Sequence, residues 1–329
     1  MTKKIRWGIM STANIGVTKV IPALQKSKYN EVIAISSRSI EPAQNWADKL
    51  VIPKAYASYE ALLADPDIDA IYNPLPNHLH IPLSMAAVEA GKHVLCEKPL
   101  GLHAADIQPL ISLAKKNPRL KVMEAFMYPY HPQWVKIRQL INDNAIGKLR
   151  NIHSHFYYNN RDELNIRNRA DWGGGALLDI GCYPISSSRL LYGRDPIRVF
   201  AQITPWPGQE VDCLVTGMMD FGDATASFSV STKIENGQGL LVSGESGSIQ
   251  LNRPFTPDMD SQIISLQQDQ QLNSILIEAA NQYSEMGDAF ALSILNDTAV
   301  PAPLTSALAH MRIIDAMFLS AAENKWINL

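Results

Sequence analysis

From Ile5 to about residue 125 the chain alternates two hydrophobic periods. Short apolar runs read as strands: Ile5–Met10, Glu31–Ser36 with Val32, Ile33 and Ile35, Ile68–Tyr72, His93–Cys96 and Leu120–Glu124. Between them lie stretches of helical period: Ile15–Leu24, Pro42–Leu50, Tyr59–Ala64 before Asp65-Pro66, Ile81–Ala90 stopped by Gly91, and Ala104–Lys116 before Asn117-Pro118. Short apolar strands separated by amphipathic helices predict a doubly wound parallel sheet in an α/β domain. Right-handed crossovers then bring every strand's carboxyl end to one edge, where ligands bind.

After Phe126 the pattern changes. Pro132–Asn142 and Gly175–Leu191 read as helices. Around them come Leu149–Tyr158, Ile197–Ile203, Val211–Phe221, Thr225–Thr232, Gly239–Ser243 and Ser248–Leu251, strand-like and without intervening helices. Phe221-Gly222-Asp223 and Glu235-Asn236-Gly237 read as hairpin turns. This predicts an α+β domain with an antiparallel sheet, closed by helices at Ile275–Leu295 and Thr305–Ala322. The expected domains are 1–125 and 126–329, with the last helix free to pack back on the first domain.

Composition narrows the class. The chain has 329 residues, 46% of them hydrophobic, and at about 150 residues per domain that length also suggests two domains. Lys+Arg 29 against Asp+Glu 32 leaves −3, which gives no electrostatic case for nucleic acid or an anionic membrane. Three scattered cysteines, Cys96, Cys182 and Cys213, with no CxxC, argue against a disulfide framework and for a reducing compartment. No run approaches about 18 apolar residues, and Ile5–Met10 is too short for a signal segment, so a cytoplasmic protein is expected.

The first strand-to-helix turn reads Gly8-Ile9-Met10-Ser11-Thr12-Ala13-Asn14-Ile15-Gly16. A strict G-x-G-x-x-G does not match. If its slots fall on Ser11, Ala13 and Gly16, two glycines are replaced by small residues, which then need ordinary negative φ. Helix amides and dipole favour phosphate at such a turn, and Thr12 and Asn14 can add side-chain bonds. About 20 residues on, an NAD site would carry an acid for the ribose. Here the strand ends in Ser36-Ser37-Arg38-Ser39, an arginine among hydroxyls, which suits a 2′-phosphate and points to NADP rather than NAD.

Three further segments carry a resemblance. Asn73-Pro74-Leu75-Pro76-Asn77-His78 and Cys96-Glu97-Lys98-Pro99-Leu100 each follow a strand. Later comes Gly173-Gly174-Gly175-Ala176-Leu177-Leu178-Asp179-Ile180-Gly181-Cys182-Tyr183. Over essentially its whole length the chain resembles the glucose–fructose oxidoreductase/inositol dehydrogenase/MocA family. Trp7–Ala13 and Asn165-Ile166-Arg167 resemble its NADP-dependent D-xylose dehydrogenase and trans-dihydrodiol dehydrogenase branch. The resemblance implies a Rossmann domain plus a domain with a large open antiparallel sheet, whose outer face often serves self-association into a homo-oligomer.

It implies further that Lys98 lies beside nicotinamide and substrate, often with a cis bond to Pro99, and that Asp179 and Tyr183 project into the cleft. A tyrosine hydroxyl, with a pKa of about 10 in water, is a poor base until a nearby ammonium favours the phenolate. Tyr183 is therefore assigned as acid/base, Lys98 as its electrostatic partner and Asp179 as a substrate-orienting group. Tyr183 stands where many family members carry histidine, which favours the sugar and dihydrodiol branch. The cofactor contacts carried over are Ser11, Thr12, Ala13, Asn14 and Ile15 at the first turn and Ser37 and Arg38 after the second strand. Asn73, Pro74, Leu75, Asn77, His78, Glu97 and Lys98 complete the set. Substrate-side candidates are Phe126, Tyr128, Phe156, Tyr158, Arg167 and Trp172, of which the aromatics serve equally well as core.

The implied activity is hydride transfer between a nicotinamide and a sugar, polyol or vicinal diol carbon. The alternatives are a non-catalytic nucleotide sensor on the same fold, which need not keep Lys98, Asp179 and Tyr183 together, and a reductase of a planar ring or imine, which would want an apolar pocket. His78-x-His80 and His153-x-His155 lack a further placed ligand, so no metal is expected.

Overall fold

The computed structural model describes residues 3–257 and 259–329. In chain order its elements are β1 (Ile5–Met10), α1 (Ile21–Gln25), β2 (Asn30–Ser36), α2 (Ile40–Leu50), β3 (Lys54–Tyr56), α3 (Tyr59–Leu63), β4 (Ala70–Asn73), α4 (His80–Glu89), β5 (His93–Cys96), α5 (Ala104–Lys116) and β6 (Val122–Glu124). There follow α6 (Pro132–Asn142), β7 (Leu149–Asn159), α7 (Cys182–Tyr192), β8 (Arg198–Thr204), β9 (Leu214–Asp220), β10 (Thr225–Ser231), β11 (Lys233–Gly244), β12 (Gly247–Leu251), β13 (Gln262–Gln268), β14 (Gln271–Ile277), α8 (Gln282–Leu295), α9 (Leu304–Glu323) and β15 (Ile327–Asn328). Among the described residues no helix is long and apolar enough to cross a membrane.

Two units emerge: Met1–Met127 with Asn281–Leu308, and Tyr128–Ala280 with Ala309–Leu329. The contiguous division expected at 125/126 is corrected accordingly, because residues 281–308 group with the first unit. The reason lies in the packing of α8. Phe290 sits against the fully buried Trp7, ring centroids 5.6 Å apart. A Cβ on Gly287 would stand 2.3 Å from Leu24 Cδ2, so only glycine lets α8 approach α1 this closely. Asp288 accepts from the Ser27 hydroxyl and, at 2.8 Å, from Asn30 Nδ2.

In the first unit all six strands are parallel, in the order β3-β2-β1-β4-β5-β6. β1, β2, β4, β5 and β6 are buried almost throughout, as strands covered on both faces must be. The short edge strand β3, with three half-buried residues, had no readable apolar pattern. The first helix is interrupted by a π-helical turn at Gly16–Val20 before α1. Strand order reverses between β1 and β4, where doubly wound sheets open a crevice at their carboxyl edge.

The second unit is built on nine strands in the order β14-β13-β12-β11-β7-β10-β9-β8-β15. Seven of the eight neighbouring pairs run antiparallel, where antiparallel was expected throughout; β7 and β10 run parallel. Burial alternates along the strands. Ile152, Ser154 and Phe156 of β7 face inward with Ala226, Phe228 and Val230 of β10, while His153, Met218 and Leu241 form a cross-strand row on the opposite face. The helix expected over 275–295 starts only at Gln282, where the Asn281 side chain accepts from Tyr283 and Ser284 N–H. Residues 275–277 instead end β14, which pairs with β13 through a two-residue turn at Asp269-Gln270, both with left-handed φ. Glu235-Asn236-Gly237 is a register irregularity inside β11, not a hairpin turn.

Candidate active site

At the carboxyl edge of the parallel sheet, Ser11 takes φ +83°. The ordinary negative φ expected for it is corrected: the chain turns sharply after β1, and Ser11 Oγ accepts from Ala13 N–H at 3.2 Å to hold the turn. Helical backbone begins at Asn14, whose carbonyl accepts from the Thr18 hydroxyl at 2.6 Å. Thr12, Ala13 and Ile15 are half-buried and Asn14 is exposed. Gly16 faces Tyr72 and Pro74, with room for a Cβ 3.6 Å from each, so the turn after β1 and the loop after β4 are neighbours.

After β2, Ser37 is half-buried and Arg38 exposed. No acid stands there. A guanidinium with flanking hydroxyls suits the dianionic 2′-phosphate of NADP and would leave an NAD ribose without its carboxylate.

The loops after β4 and β5 are tied together from beneath. Asn73 is fully buried, and its amide donates to His80 O and Ser84 Oγ, both at 3.2 Å, while its oxygen accepts from Leu75 N–H at 3.3 Å. Its side chain is thus committed to holding the loop. Pro74 and Leu75 are buried, and Asn77 and His78 lie half-buried on a 3-10 turn, Asn77–Leu79. The ring nitrogens of buried His80 stand 2.7 Å from Pro99 O and 2.7 Å from Leu75 O, so one imidazole bridges both loops. Burial pushes its pKa down to about 4 against the pull of the two carbonyls, and the neutral ring, with a single N–H, donates to one of them and packs against the other. Glu97 N–H donates to Asn73 O at 3.0 Å, and Tyr72 donates its hydroxyl to Glu97 Oε1 at 2.7 Å. Lys98 is half-buried, and its bond to Pro99 is cis. Phe126 is buried just beyond β6.

In the second unit three glycines lead into the helix that carries Asp179 and Tyr183, each for its own reason. Gly173 has φ +76°. A Cβ on Gly174 would stand 2.5 Å from Arg167 O. Gly175 has φ +114°, and a Cβ there would lie 2.0 Å from Asp212 Oδ1. The helix then begins with a π-helical turn, Leu177–Gly181, that carries Asp179 and runs into α7, whose second residue is Tyr183. At four residues apart the two side chains share a face.

Asp179 Oδ2 accepts from the Tyr158 hydroxyl at 2.5 Å and from Arg167 Nε at 3.0 Å. Burial, then the Asp179 charge, pushes the Tyr158 phenol far up, so it stays protonated and donates. The Asp179 charge likewise raises Arg167, which also interacts with Tyr183. The Tyr183 ring is packed by Phe255, Phe156 and Tyr128, with centroids 5.4, 5.5 and 5.9 Å away.

Of the six substrate-side candidates, Tyr158 and Arg167 therefore converge on Asp179. Tyr128 is fully buried, and its hydroxyl lies 2.7 Å from Ser186 Oγ, which fits the core role the sequence also allowed. Phe156 is likewise packed inward. Trp172 is half-buried under the Arg169 guanidinium, 4.9 Å from the ring centroid. Phe255, His80 and Asp212 were not singled out from the sequence. Asp212 and Phe255 act across long sequence separations, and His80 looked like half of a weak metal pattern. Cys96 and Cys182 are buried, and burial pushes the Cys96 thiol up, which fits packing rather than nucleophilic roles.

Comparison with known proteins supplies the context. Residues 5–126 match the model of an oxidoreductase family with an NAD-binding Rossmann fold, and residues 134–250 match the GFO/IDH/MocA C-terminal domain. The chain is 34% identical to a D-xylose 1-dehydrogenase (NADP(+)) of Haloferax volcanii, covering 98% of this chain and 99% of that protein. It is 30% identical to the trans-1,2-dihydrobenzene-1,2-diol dehydrogenase of Mus musculus, over 77% of this chain and 76% of that protein. Among solved structures, a 3-ketoreductase from Actinomadura kijaniata in complex with NADP and TDP-benzene superposes with TM-score 0.91 at 29% identity, covering 97% and 98% of the two chains.

Proposed function

From the premise that this chain belongs to the Gfo/Idh/MocA oxidoreductase family, we propose that it is an NADP(H)-dependent oxidoreductase of a sugar, polyol or vicinal diol. The observation that carries this reading is the carboxyl edge of one parallel sheet. Ser11–Ile15, Ser37–Arg38, Asn77–His78 and Glu97–Lys98 all stand there, with a cation and no acid after β2. When bound, the nicotinamide exchanges a hydride with the substrate carbon. Tyr183 exchanges the hydroxyl proton, Lys98 is the cation that favours its phenolate, and Asp179, held by Tyr158 and Arg167, orients the substrate.

Tryptophan fluorescence titration with NADPH and NADH tests the nucleotide half. A charge-assisted bond to phosphate is worth about 1.5–3 kcal/mol, so Arg38→Ala should weaken NADPH about 10- to 150-fold and leave NADH nearly unchanged. Equal loss for both nucleotides would remove Arg38 from phosphate recognition. A screen of aldoses, polyols and diols with wild type and Tyr183→Phe tests the chemical half, and full turnover by Tyr183→Phe would refute the acid/base role.

The same reading includes self-association through the open sheet face, supported by exposed Met218, Leu241, Ile263 and Leu276 there. A cytoplasmic setting is supported by the three cysteines, which are buried thiols outside any disulfide.

A further inference from the structure

The entrance to the helix that carries Asp179 and Tyr183 is closed by a side chain distant in sequence. Asp212, two residues before β9, accepts the Leu177 N–H on Oδ2 at 2.6 Å, and its backbone carbonyl accepts the Ala176 N–H at 2.7 Å. These amides sit in the first turn, where a helix has no internal acceptors for its own donors. The other carboxylate oxygen occupies the space that a side chain on Gly175 would fill, 2.0 Å from an added Cβ. The glycine run and the carboxylate are therefore one device: glycine leaves a socket and Asp212 fills it. A negative group is favoured at this end of the helix dipole. Burial opposes it: burial first, helped by the like charge of Asp179 and opposed by the amide donors, raises the Asp212 pKa to about 7. Asp179 on the helix and the neighbouring Cys213 thiol are the titratable groups coupled to it; Lys233, close to Cys213, donates to Asn160 O and Asn168 Oδ1.

Resting on the acid/base reading of Tyr183, we propose that Asp212 is a positioning residue of this site: it pins the first turn of the helix, so that Asp179 and Tyr183 are presented in register. It touches neither substrate nor cofactor. Its effect belongs to the second unit and leaves nucleotide affinity alone.

Three variants of the full chain test this: Asp212→Ala, Asp212→Asn and Tyr183→Phe. Turnover is read on the aldose, polyol or diol selected by the screen, NADPH affinity by fluorescence, and the Leu177 amide by TROSY NMR from pH 5 to 9. Misplacing a catalytic group by about 1 Å costs up to about 100-fold in rate, so Asp212→Ala is expected to lose about 10- to 100-fold in kcat with an unchanged Kd for NADPH. Asp212→Asn keeps an acceptor and should rescue most of that turnover. In wild type the Leu177 amide proton should shift with a midpoint near pH 7; in Asp212→Asn it should stay still. If Asp212→Ala fails to fold, the Asn variant decides. Wild-type kcat in Asp212→Ala, or a loss of turnover in Asp212→Asn as large as the 10- to 100-fold expected for alanine, overturns the proposal. Full turnover by Tyr183→Phe instead overturns the acid/base reading, and the Leu177 titration reports separately on the Asp212 contact.

Discussion

Substituting alanine for Gly175 perturbs both halves of the socket. Its φ of +114° is a conformation that side chains rarely adopt, and a residue forced into such a region costs about 1–3 kcal/mol. The new Cβ would also lie 2.0 Å from Asp212 Oδ1, far inside contact distance. Relief requires the carboxylate to withdraw, which strips the Leu177 amide of its acceptor at 2.6 Å. Leaving such a donor unsatisfied costs about 1–3 kcal/mol more. The sum, about 2–6 kcal/mol, corresponds to a fall of about 5–20 °C in the melting temperature of a unit of this size. Gly193 provides the control. It ends α7 with φ +66° and nothing within 4 Å of an added Cβ, so Gly193→Ala carries the backbone cost alone. The assay is calorimetric melting at pH 7.5 of wild type, Gly175→Ala and Gly193→Ala, with NADPH titration as the check on the first unit. A Gly175→Ala transition no lower than that of Gly193→Ala would refute the reasoning, since the clash would then contribute nothing.

Three further outcomes follow from the same geometry. A carboxyl whose folded pKa is raised from 3.8 to about 7 loses stability as pH climbs through that window, so Asp212→Asn should melt level with wild type near pH 4 and above it at pH 8; an advantage that shrinks with rising pH would contradict the sign. Arg167→Met removes the guanidinium from Asp179; with the arginine side chain 42% exposed, the stability loss should stay near 1 kcal/mol while turnover falls far more, as melting and steady-state kinetics would show. Leu241→Glu places a charge in the exposed row with Met218 and His153 on the open sheet face, and light scattering should then report a smaller particle than wild type; an unchanged mass would move the interface elsewhere.

The parallel sheet was legible because its strands are buried on both faces, so β1, β2, β4 and β5 read as short, mostly apolar runs. Once those strands are parallel, the positions of Ser11, Arg38, Asn77 and Glu97 at one edge follow from chirality alone. What failed was pattern without burial. β14 exposes most of its residues, and its last three, Ile275-Leu276-Ile277, fit a helix as well as a strand. Only the left-handed pair Asp269-Gln270 marks the hairpin, and neither is a glycine. Ser11 misled in the same way, since the sign of its φ is set by the turn it must make and not by its side chain. Phe156 and Tyr128 were readable as aromatic but not as inward-facing, because their burial depends on Phe255, about 100 residues further on.

The environment of Asp179 was the least legible part, and it carries the strongest constraint on the chemistry. A lone carboxylate one helical turn from a tyrosine base works against it. At about 6 Å and an effective dielectric near 20, the repulsion of a phenolate is about 3 kcal/mol, or about two pKa units in the unfavourable direction. An acid at 179 is compatible with Tyr183 as a base only if its charge is neutralised locally. Arg167, at 3.0 Å, does this, and its own coupling to Tyr183 adds attraction for the phenolate. Tyr158, held protonated at 2.5 Å, supplies a second donor without a second charge. The Asn165-Ile166-Arg167 segment is therefore an electrostatic part of the site as well as a point of resemblance: Asn165 Oδ1 accepts from Arg167 N–H at 3.1 Å and fixes the turn from which the guanidinium reaches Asp179. On this reasoning Arg167→Met should raise the pH at which kcat/KM for alcohol oxidation turns on, and Arg167→Lys, which keeps the charge, should restore it in part. A pH profile that stays in place in Arg167→Met would show that the tyrosine does not feel this pair.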